Sequence, residues 1–222
     1  MKRGMLGSLL VIACCSSALQ AAQDSGVRML AAHAACDGSL FKALAADAPR
    51  WQGEKSFARR GPLASFRVAN RTPPEAYGGP ATLDFKRARR IDGLPLSGWF
   101  DADLSAWSRF ARFEVQFLSW GFYIDATPAD VRDWLRRAAP AVGRRLQRSS
   151  ADKEGVYCVQ ERWQDERWQA EACSADEDFP TEPRPVRWLV IRPADTRTVL
   201  SCELAGSLPA PLLHQLRPDL PH

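Results

Sequence analysis

The chain has 222 residues, of which 45% are hydrophobic and 25% are charged, and its formal net charge is +4. This length is sufficient for one well-cored domain or two small ones. Without Lys2 and Arg3, which lie in the N-terminal segment described next, the charge is +2. So weak a positive charge gives no support to nucleic-acid binding, and we expect no nucleic-acid partner.

The first 22 residues have the pattern of a secretory signal peptide. Lys2 and Arg3 form a basic start, residues 4–13 are apolar, and small residues follow through Ala22. The apolar stretch is shorter than the ~18 residues that a membrane span needs, and no later stretch approaches that length. We predict a signal peptide over 1–22, one domain over 23–222 with no transmembrane span, and a periplasmic or extracellular location in bacteria.

The cysteines bear on how the signal peptide is removed. Residues 11–14, V-I-A-C, resemble a lipobox, which would make Cys14 the lipid anchor of an outer-membrane lipoprotein. Cleavage near Ala22 would instead remove Cys14 and Cys15 together and leave four cysteines. An even number suits an oxidising compartment, so we favour cleavage near Ala22 and keep lipidation as the alternative.

The N-terminal third of the mature chain contains two helical patterns. Residues 27–35 have helical composition, and residues 39–48 carry an apolar stripe that Pro49 ends. Residues 51–61 are charged and predicted to be irregular, and residues 63–68 alternate like a strand. Residues 70–80 contain three prolines and two glycines, which predict a long loop and a possible subdivision of the domain.

Asp92-Gly93 predicts a two-residue hairpin turn within residues 82–101. In the register that this turn implies, Ile91 pairs with Leu94, Arg87 with Gly98, and Phe85 with Phe100. Pro95 is unsuited to a central strand, so this end of the hairpin is expected at a sheet edge.

The stretch from Phe110 to Trp134 has the clearest pattern in the chain. Residues 113–124 begin with alternating apolar and polar side chains and end apolar on both faces, as in a central strand. Thr127, Pro128 and Asp130 then form a helix start that resembles a capping box. A helix over 127–138 with one apolar stripe follows.

Residues 155–174 are predicted to form a hairpin centred on Asp165-Glu166. In that register, Trp163 lies opposite Trp168 and Cys158 lies opposite Cys173, within the reach of a disulfide. We therefore predict a Cys158–Cys173 disulfide and, by elimination, a Cys36–Cys202 disulfide.

The C-terminal part is predicted to contain strands at 186–191 and 196–204 and a short helix at 208–216, after an acidic, proline-rich loop at 175–185. Together the patterns predict an α+β fold. A mainly antiparallel sheet of six to nine strands would pack against two or three helices, chiefly 39–48 and 127–138, and disulfides would staple the structure.

Several reaction classes lack their motifs. The sequence has no G-x-S-x-G elbow, no C-x-x-C, no P-loop and no G-x-G-x-x-G. Of its three histidines, His222 is the terminal residue, and His33 and His214 lie in separate helical segments without Asp, Glu or Cys at metal spacing. We therefore expect no serine hydrolase, no thiol-redox enzyme, no metal site and no cofactor.

Carboxylates and tryptophans are the remaining candidates for a site. Asp125, at the end of the predicted central strand, is the best-placed catalytic carboxylate, with Asp101, Asp103 and Glu114 nearby in sequence. Trp163 and Trp168 are candidates for a glycan-stacking pair, although core packing is the more common role of tryptophan.

These patterns favour a non-enzymatic binding or accessory module of the cell envelope, with a protein, lipid or glycan partner. The alternative is a carboxylate-based hydrolase that acts on glycan or peptidoglycan. Basic runs, among them Arg59-Arg60 and Arg144-Arg145, could meet anionic headgroups, although solvated surface is their usual role. The oligomeric state is left open.

Overall fold

A computed structural model describes residues 25–68, 82–105, 116–150, 155–174 and 183–220. The predicted signal peptide with Cys14, the 70–80 loop with its possible subdivision, and most of the 175–185 loop lie outside the described residues. The beginning of the predicted central strand, before Gln116, also lies outside them.

The fold is α+β, as predicted, with an eight-stranded antiparallel sheet and a separate two-stranded hairpin. In the large sheet the order is β3-β4-β5-β10-β9-β7-β6, and β8 pairs with β7 on the same side as β6. The strands are β1 (Phe57–Arg60), β2 (Leu63–Phe66), β3 (Thr82–Ile91), β4 (Leu94–Asp103), β5 (Gln116–Ile124), β6 (Gln147–Arg148), β7 (Tyr157–Gln164), β8 (Arg167–Glu171), β9 (Val186–Ala194) and β10 (Arg197–Gly206).

The described residues contain five helices, which is more than the two or three expected. They are α1 (25–35), α2 (Ser39–Ala46), α3 (Pro128–Ala138), the short α4 (Pro140–Gly143) and α5 (Ala210–Leu216), and a 3-10 turn covers Ala48–Trp51. Thr127 caps α3, and its hydroxyl and the Asp130 carboxylate form the predicted capping box. The predicted start of this helix is therefore confirmed.

The described helices pack against one face of the sheet. Alternate residues of the central strand β5, such as Trp120 and Phe122, join the buried side chains of α1, α2, α3 and α5 in the main core. The opposite face carries two smaller clusters, around Cys158 and around Tyr123, that contain no residue of the described helices. The strand predicted to be central, β5, lies between β4 and β10. Its large side chains Trp120 and Phe122 lie in the middle of the main core.

The hairpin of β7 and β8 has the predicted register. Trp163 pairs with Trp168, and the turn is at Asp165-Glu166. Cys173 lies just beyond the end of β8 and still reaches Cys158, with 5.7 Å between their Cα atoms. The other disulfide, Cys36–Cys202, joins the end of α1 to β10, so both predicted disulfides are confirmed.

The predicted register of the β3–β4 hairpin is wrong beyond its turn. Ile91 pairs with Leu94 as expected, but Asp84, not Arg87, pairs with Gly98. A bulge between Asp84 and Arg89 puts extra residues into β3. A turn determines the register only as far as the first bulge, and β3 is the edge strand, where bulges are common.

Residues 57–60 are a second correction, because they form β1 and not an irregular segment. Phe57 pairs with Phe66 across the hairpin, and Gly61 takes a positive φ of 56° in the turn. The strand β1 has only four residues, two of which are arginines, so its sequence shows no alternation of apolar and polar side chains. Its pairing with β2 makes it a strand.

Candidate binding groove

A groove of about 290 Å³ lies between the β1–β2 hairpin and the residues that follow α5. Its wall combines apolar side chains with arginines, and two aspartates complete it. We call it the arginine groove; its lining residues are Ala58, Arg59, Arg60, Leu63, Ala64, Ser65, Phe66, Arg67, Val68, Asp101, Asp219 and Leu220.

Aromatic packing holds the hairpin that forms one wall of the groove. Phe57 and Phe66 contact each other at 5.5 Å between ring centroids, and Phe66 meets Trp51 edge to face at 4.8 Å. Phe66 and Trp51 are buried, and both reach Phe122 of the central strand. Burial of rings of this size fixes the position of a short hairpin that would not be stable alone.

The two aspartates of the groove are held by Arg217, a fully buried residue just after α5. Its guanidinium donates from Nη1 and Nη2 to Asp101 at 3.2 and 3.0 Å. It also donates from Nε and Nη2 to Asp219 at 2.9 and 3.0 Å. Both carboxylates are thus bound through two oxygens, the geometry that an arginine fork provides.

The guanidinium also lies against two aromatic rings, 4.6 Å from the centroid of Trp120 and 5.3 Å from that of Phe41. Burial alone lowers the pKa of Arg217, but the charges of Asp101 and Asp219 outweigh burial and raise it above its ordinary value. Arg217 is therefore a permanent buried cation behind the two carboxylates.

Three arginines line the groove. Arg59, Arg60 and Arg67 are exposed, and none makes an ion pair with a carboxylate in the described part of the chain. Arg59 does donate a hydrogen bond from Nε to the Gly61 carbonyl at 3.1 Å.

Other arginines of the predicted basic runs have acidic neighbours. Arg136 lies 3.7 Å from Asp133, and Arg145 lies 2.5 Å from Glu161. The arginine groove thus brings together three exposed arginines that make no ion pair among the described residues.

The predicted tryptophan pair lies elsewhere, on the β7–β8 hairpin. Trp163 and Trp168 contact each other edge to face, with 5.1 Å between centroids and an interplanar angle of 64°. Arg187 lies over the ring of Trp168 at 4.5 Å, and both tryptophans are half-buried against the main core. The two tryptophans are therefore adjacent, as predicted, but Arg187 covers one face of the Trp168 ring. Their role in glycan stacking stays a prediction.

Asp125, the predicted catalytic carboxylate, is exposed where β5 ends. Its Oδ1 accepts a hydrogen bond of 2.6 Å from Ser97, and its backbone N–H donates to the Pro95 carbonyl at 2.9 Å. These contacts hold Asp125 at the link between β5 and α3, and Asp125 is not among the residues that line the groove. Its catalytic role stays a prediction.

His33 is a core residue of α1. Its Nε2 lies 2.9 Å from the Leu200 carbonyl, and its ring meets Phe122 edge to face at 5.3 Å. Complete burial lowers its pKa to about 4, only partly opposed by the hydrogen bond to Leu200. His33 is therefore neutral at ordinary pH and enclosed by packing.

Within the described ranges, no three His, Cys, Asp or Glu side chains are placed to hold a metal ion. None of the helices in that same part of the chain has the length and apolar character needed to cross a membrane.

Arg59, Arg60 and Asp101 stand out in the sequence, whereas Arg217 and Asp219 do not. Arg217 and Asp101 are 116 residues apart, so no local pattern could join them. The available signal was weak: an arginine and an aspartate two residues apart, just after the apolar helix pattern of residues 208–216.

Comparison of the chain with protein-family models, curated proteins and solved structures finds no match.

Proposed function

We propose that the protein is an exported, non-enzymatic binding module of the bacterial cell envelope whose ligand occupies the arginine groove. One observation carries the proposal. The two carboxylates of the groove are both committed to Arg217, whereas its three arginines have no acidic partner among the described residues. Such a site is better suited to holding a charged ligand than to acid–base chemistry.

Hydrolysis by a carboxylate pair makes different demands. One carboxyl must give a proton while the other acts as base or nucleophile, and a reacting bond must fit between them. Asp101 and Asp219 instead have the Arg217 guanidinium between them, with bonds to all four carboxylate oxygens. This arrangement supports a binding role for the groove over the hydrolytic alternative.

Two disulfides support the exported location. Cys36–Cys202 and Cys158–Cys173 are both largely inaccessible to solvent, and disulfides persist in oxidising compartments such as the periplasm. Lipidation at Cys14 remains the alternative mode of attachment to the envelope, and mass spectrometry of the mature N-terminus would identify it.

The binding function can be tested by filling the groove. Ser65→Trp places a large side chain on its wall, and Arg148→Trp places the same side chain on the exposed strand β6 as a control. Each protein is purified from bacterial envelopes, and native mass spectrometry records bound small molecules. We expect a bound envelope component with the wild-type protein and with Arg148→Trp, and its loss with Ser65→Trp.

Two results would overturn the proposal. One is a bound component that Ser65→Trp retains although that variant unfolds cooperatively like the wild type. The other is release of soluble fragments from peptidoglycan sacculi by the wild-type protein, with loss of that release in a folded Asp219→Asn variant.

A further inference from the structure

We infer that the arginine groove binds the phosphate headgroup of an anionic phospholipid, and that the β1–β2 hairpin thereby docks the protein on a membrane surface. The inference rests on the proposed binding function and adds to it the class of ligand and the surface that presents it.

The charge of the groove favours a phosphate ligand. The lining side chains comprise three arginines and two aspartates, and Arg217 binds both aspartates from behind. Counting Arg217, four cations face two anions, so the site has an excess of positive charge. A guanidinium binds phosphate oxygens through two parallel N–H groups, which makes arginine well suited to phosphate esters.

The apolar side chains of the groove favour a lipid over a free anion. Leu63, Val68 and Leu220 line the groove and are only partly buried. A free inorganic anion would leave these side chains against water, whereas the glycerol and upper acyl region of a lipid would cover them. The volume of about 290 Å³ lies at the lower end of small-molecule sites, so the groove holds a headgroup and not a whole lipid.

The position of the groove allows it to meet a membrane surface. The hairpin that forms its wall is separate from the large sheet, and Gly61 and Pro62 at its tip are exposed. A Cβ atom added at Gly61 would meet no other atom within 4 Å, so the tip projects into open space. Arg59 and Arg60 directly precede this tip and can reach a planar surface together with it.

Vesicle co-sedimentation of the mature, disulfide-bonded protein tests the inference. The vesicles are phosphatidylcholine alone, or phosphatidylcholine mixed with either phosphatidylglycerol or phosphatidylethanolamine. We expect binding to phosphatidylglycerol vesicles only, with an affinity that falls as salt is raised. Inorganic phosphate is expected to compete poorly, because it cannot cover the apolar lining.

A matched pair of variants locates the binding surface. Arg59→Gln/Arg60→Gln/Arg67→Gln removes the groove arginines, and Arg28→Gln/Arg144→Gln/Arg148→Gln removes three exposed arginines outside the groove. We expect the first variant to bind roughly a hundred-fold more weakly, and Arg67→Gln alone about five-fold more weakly. The second triple variant should lose much less affinity.

Several outcomes would overturn the inference. Equal losses of vesicle affinity in the two triple variants would show that general charge attraction, and not a defined site, accounts for the binding. Binding to phosphatidylethanolamine alone would contradict the charge argument, and full displacement by inorganic phosphate would show a free-anion site. If the wild type binds no vesicle but still carries a different ligand that Ser65→Trp loses, the lipid inference fails and the binding function stands.

Discussion

Arg217 shows how one residue connects the chain's last segment to its core. Its charge is balanced by Asp101 of β4 and by Asp219, and its guanidinium is covered by the ring of Trp120. A buried ion cluster of this kind adds little stability compared with a well-packed apolar core, but removing one member leaves uncompensated charge. The wall of the arginine groove therefore depends on Arg217.

We expect Arg217→Met to lower the free energy of unfolding by about 3–5 kcal/mol, because two carboxylates lose their buried counter-charge. Arg217→Met/Asp101→Asn/Asp219→Asn should recover part of that loss, since it removes the charges together. Urea unfolding at neutral pH with intact disulfides measures both. A triple variant that is no more stable than Arg217→Met would contradict this explanation.

His33 gives a prediction about pH. Its pKa is about 4 in the folded protein and 6.5 when unfolded, so the unfolded chain binds more protons between these values. The contribution of neutral His33 to stability is therefore fully present above pH 6.5 and is lost as the pH falls towards 4. We expect a loss of about 2 kcal/mol between pH 7 and pH 5 from this residue.

His33→Gln provides the comparison, because its amide can still donate to the Leu200 carbonyl but does not titrate. Urea unfolding of both proteins from pH 7 to pH 5 isolates the histidine, since other groups titrate alike in both. Equal pH dependence in the two proteins would mean that His33 is not buried as a neutral base.

Among the elements, β3 is notable because it forms the edge of the large sheet with ten residues. Its edge is protected by side chains. The Lys86 backbone N–H donates to Glu54 at 3.1 Å, and the Arg90 carbonyl accepts from Arg50 at 3.4 Å. The bulge and the charges of Lys86 and Arg87 further disfavour pairing with another chain.

We expect Lys86→Val/Arg87→Val to cause concentration-dependent self-association, because it converts a charged edge into an apolar one. Arg136→Val/Arg137→Val, on the exposed side of α3, removes the same charge from a helix and serves as the control. Light scattering over a concentration series distinguishes them. Equal association of the two variants would show that net charge, and not the edge, keeps the chains apart.

For the molecule as a whole, local patterns predicted local structure well. The turn at Asp165-Glu166 fixed the β7–β8 register, and the Thr127 cap fixed the start of α3, because each depends on residues close in sequence. The β3 bulge depends on neighbouring strands, since β4 also shifts register against β5 between Leu96 and Gly98. No spacing in a single sequence carries that information.

The arginine groove could not be predicted from the sequence, for the same reason. Its wall is a hairpin in the first third of the chain, and its carboxylates come from β4 and from the segment after α5. Arg59 and Arg60 were visible as a basic pair, but their lack of acidic partners emerges only when the chain is folded. Contacts over such sequence distances require the tertiary structure.

The two disulfides should contribute unequally to the stability of the whole molecule. Cys158–Cys173 closes a separation of 15 residues and Cys36–Cys202 one of 166. We expect Cys158→Ala/Cys173→Ala to cost about 3 kcal/mol and Cys36→Ala/Cys202→Ala about 5 kcal/mol, because the longer loop restricts the unfolded chain more. All four cysteines are buried, so side-chain packing losses are comparable, and guanidinium unfolding compares them. A larger loss for the shorter loop would contradict the loop-entropy explanation.

The nesting of these disulfides also has a consequence for biosynthesis. If the chain is exported as we propose, the cysteines emerge from the export channel in the order 36, 158, 173, 202, whereas the native bonds join the first to the last and the second to the third. An oxidase that joins cysteines as they appear would first make Cys36–Cys158, which is not native. Maturation would then require thiol–disulfide exchange, in which Cys36 is released and waits for the end of the chain. The Cys173 thiolate can carry out this exchange by attacking Cys158 and releasing the Cys36 thiolate, and a disulfide isomerase would accelerate it.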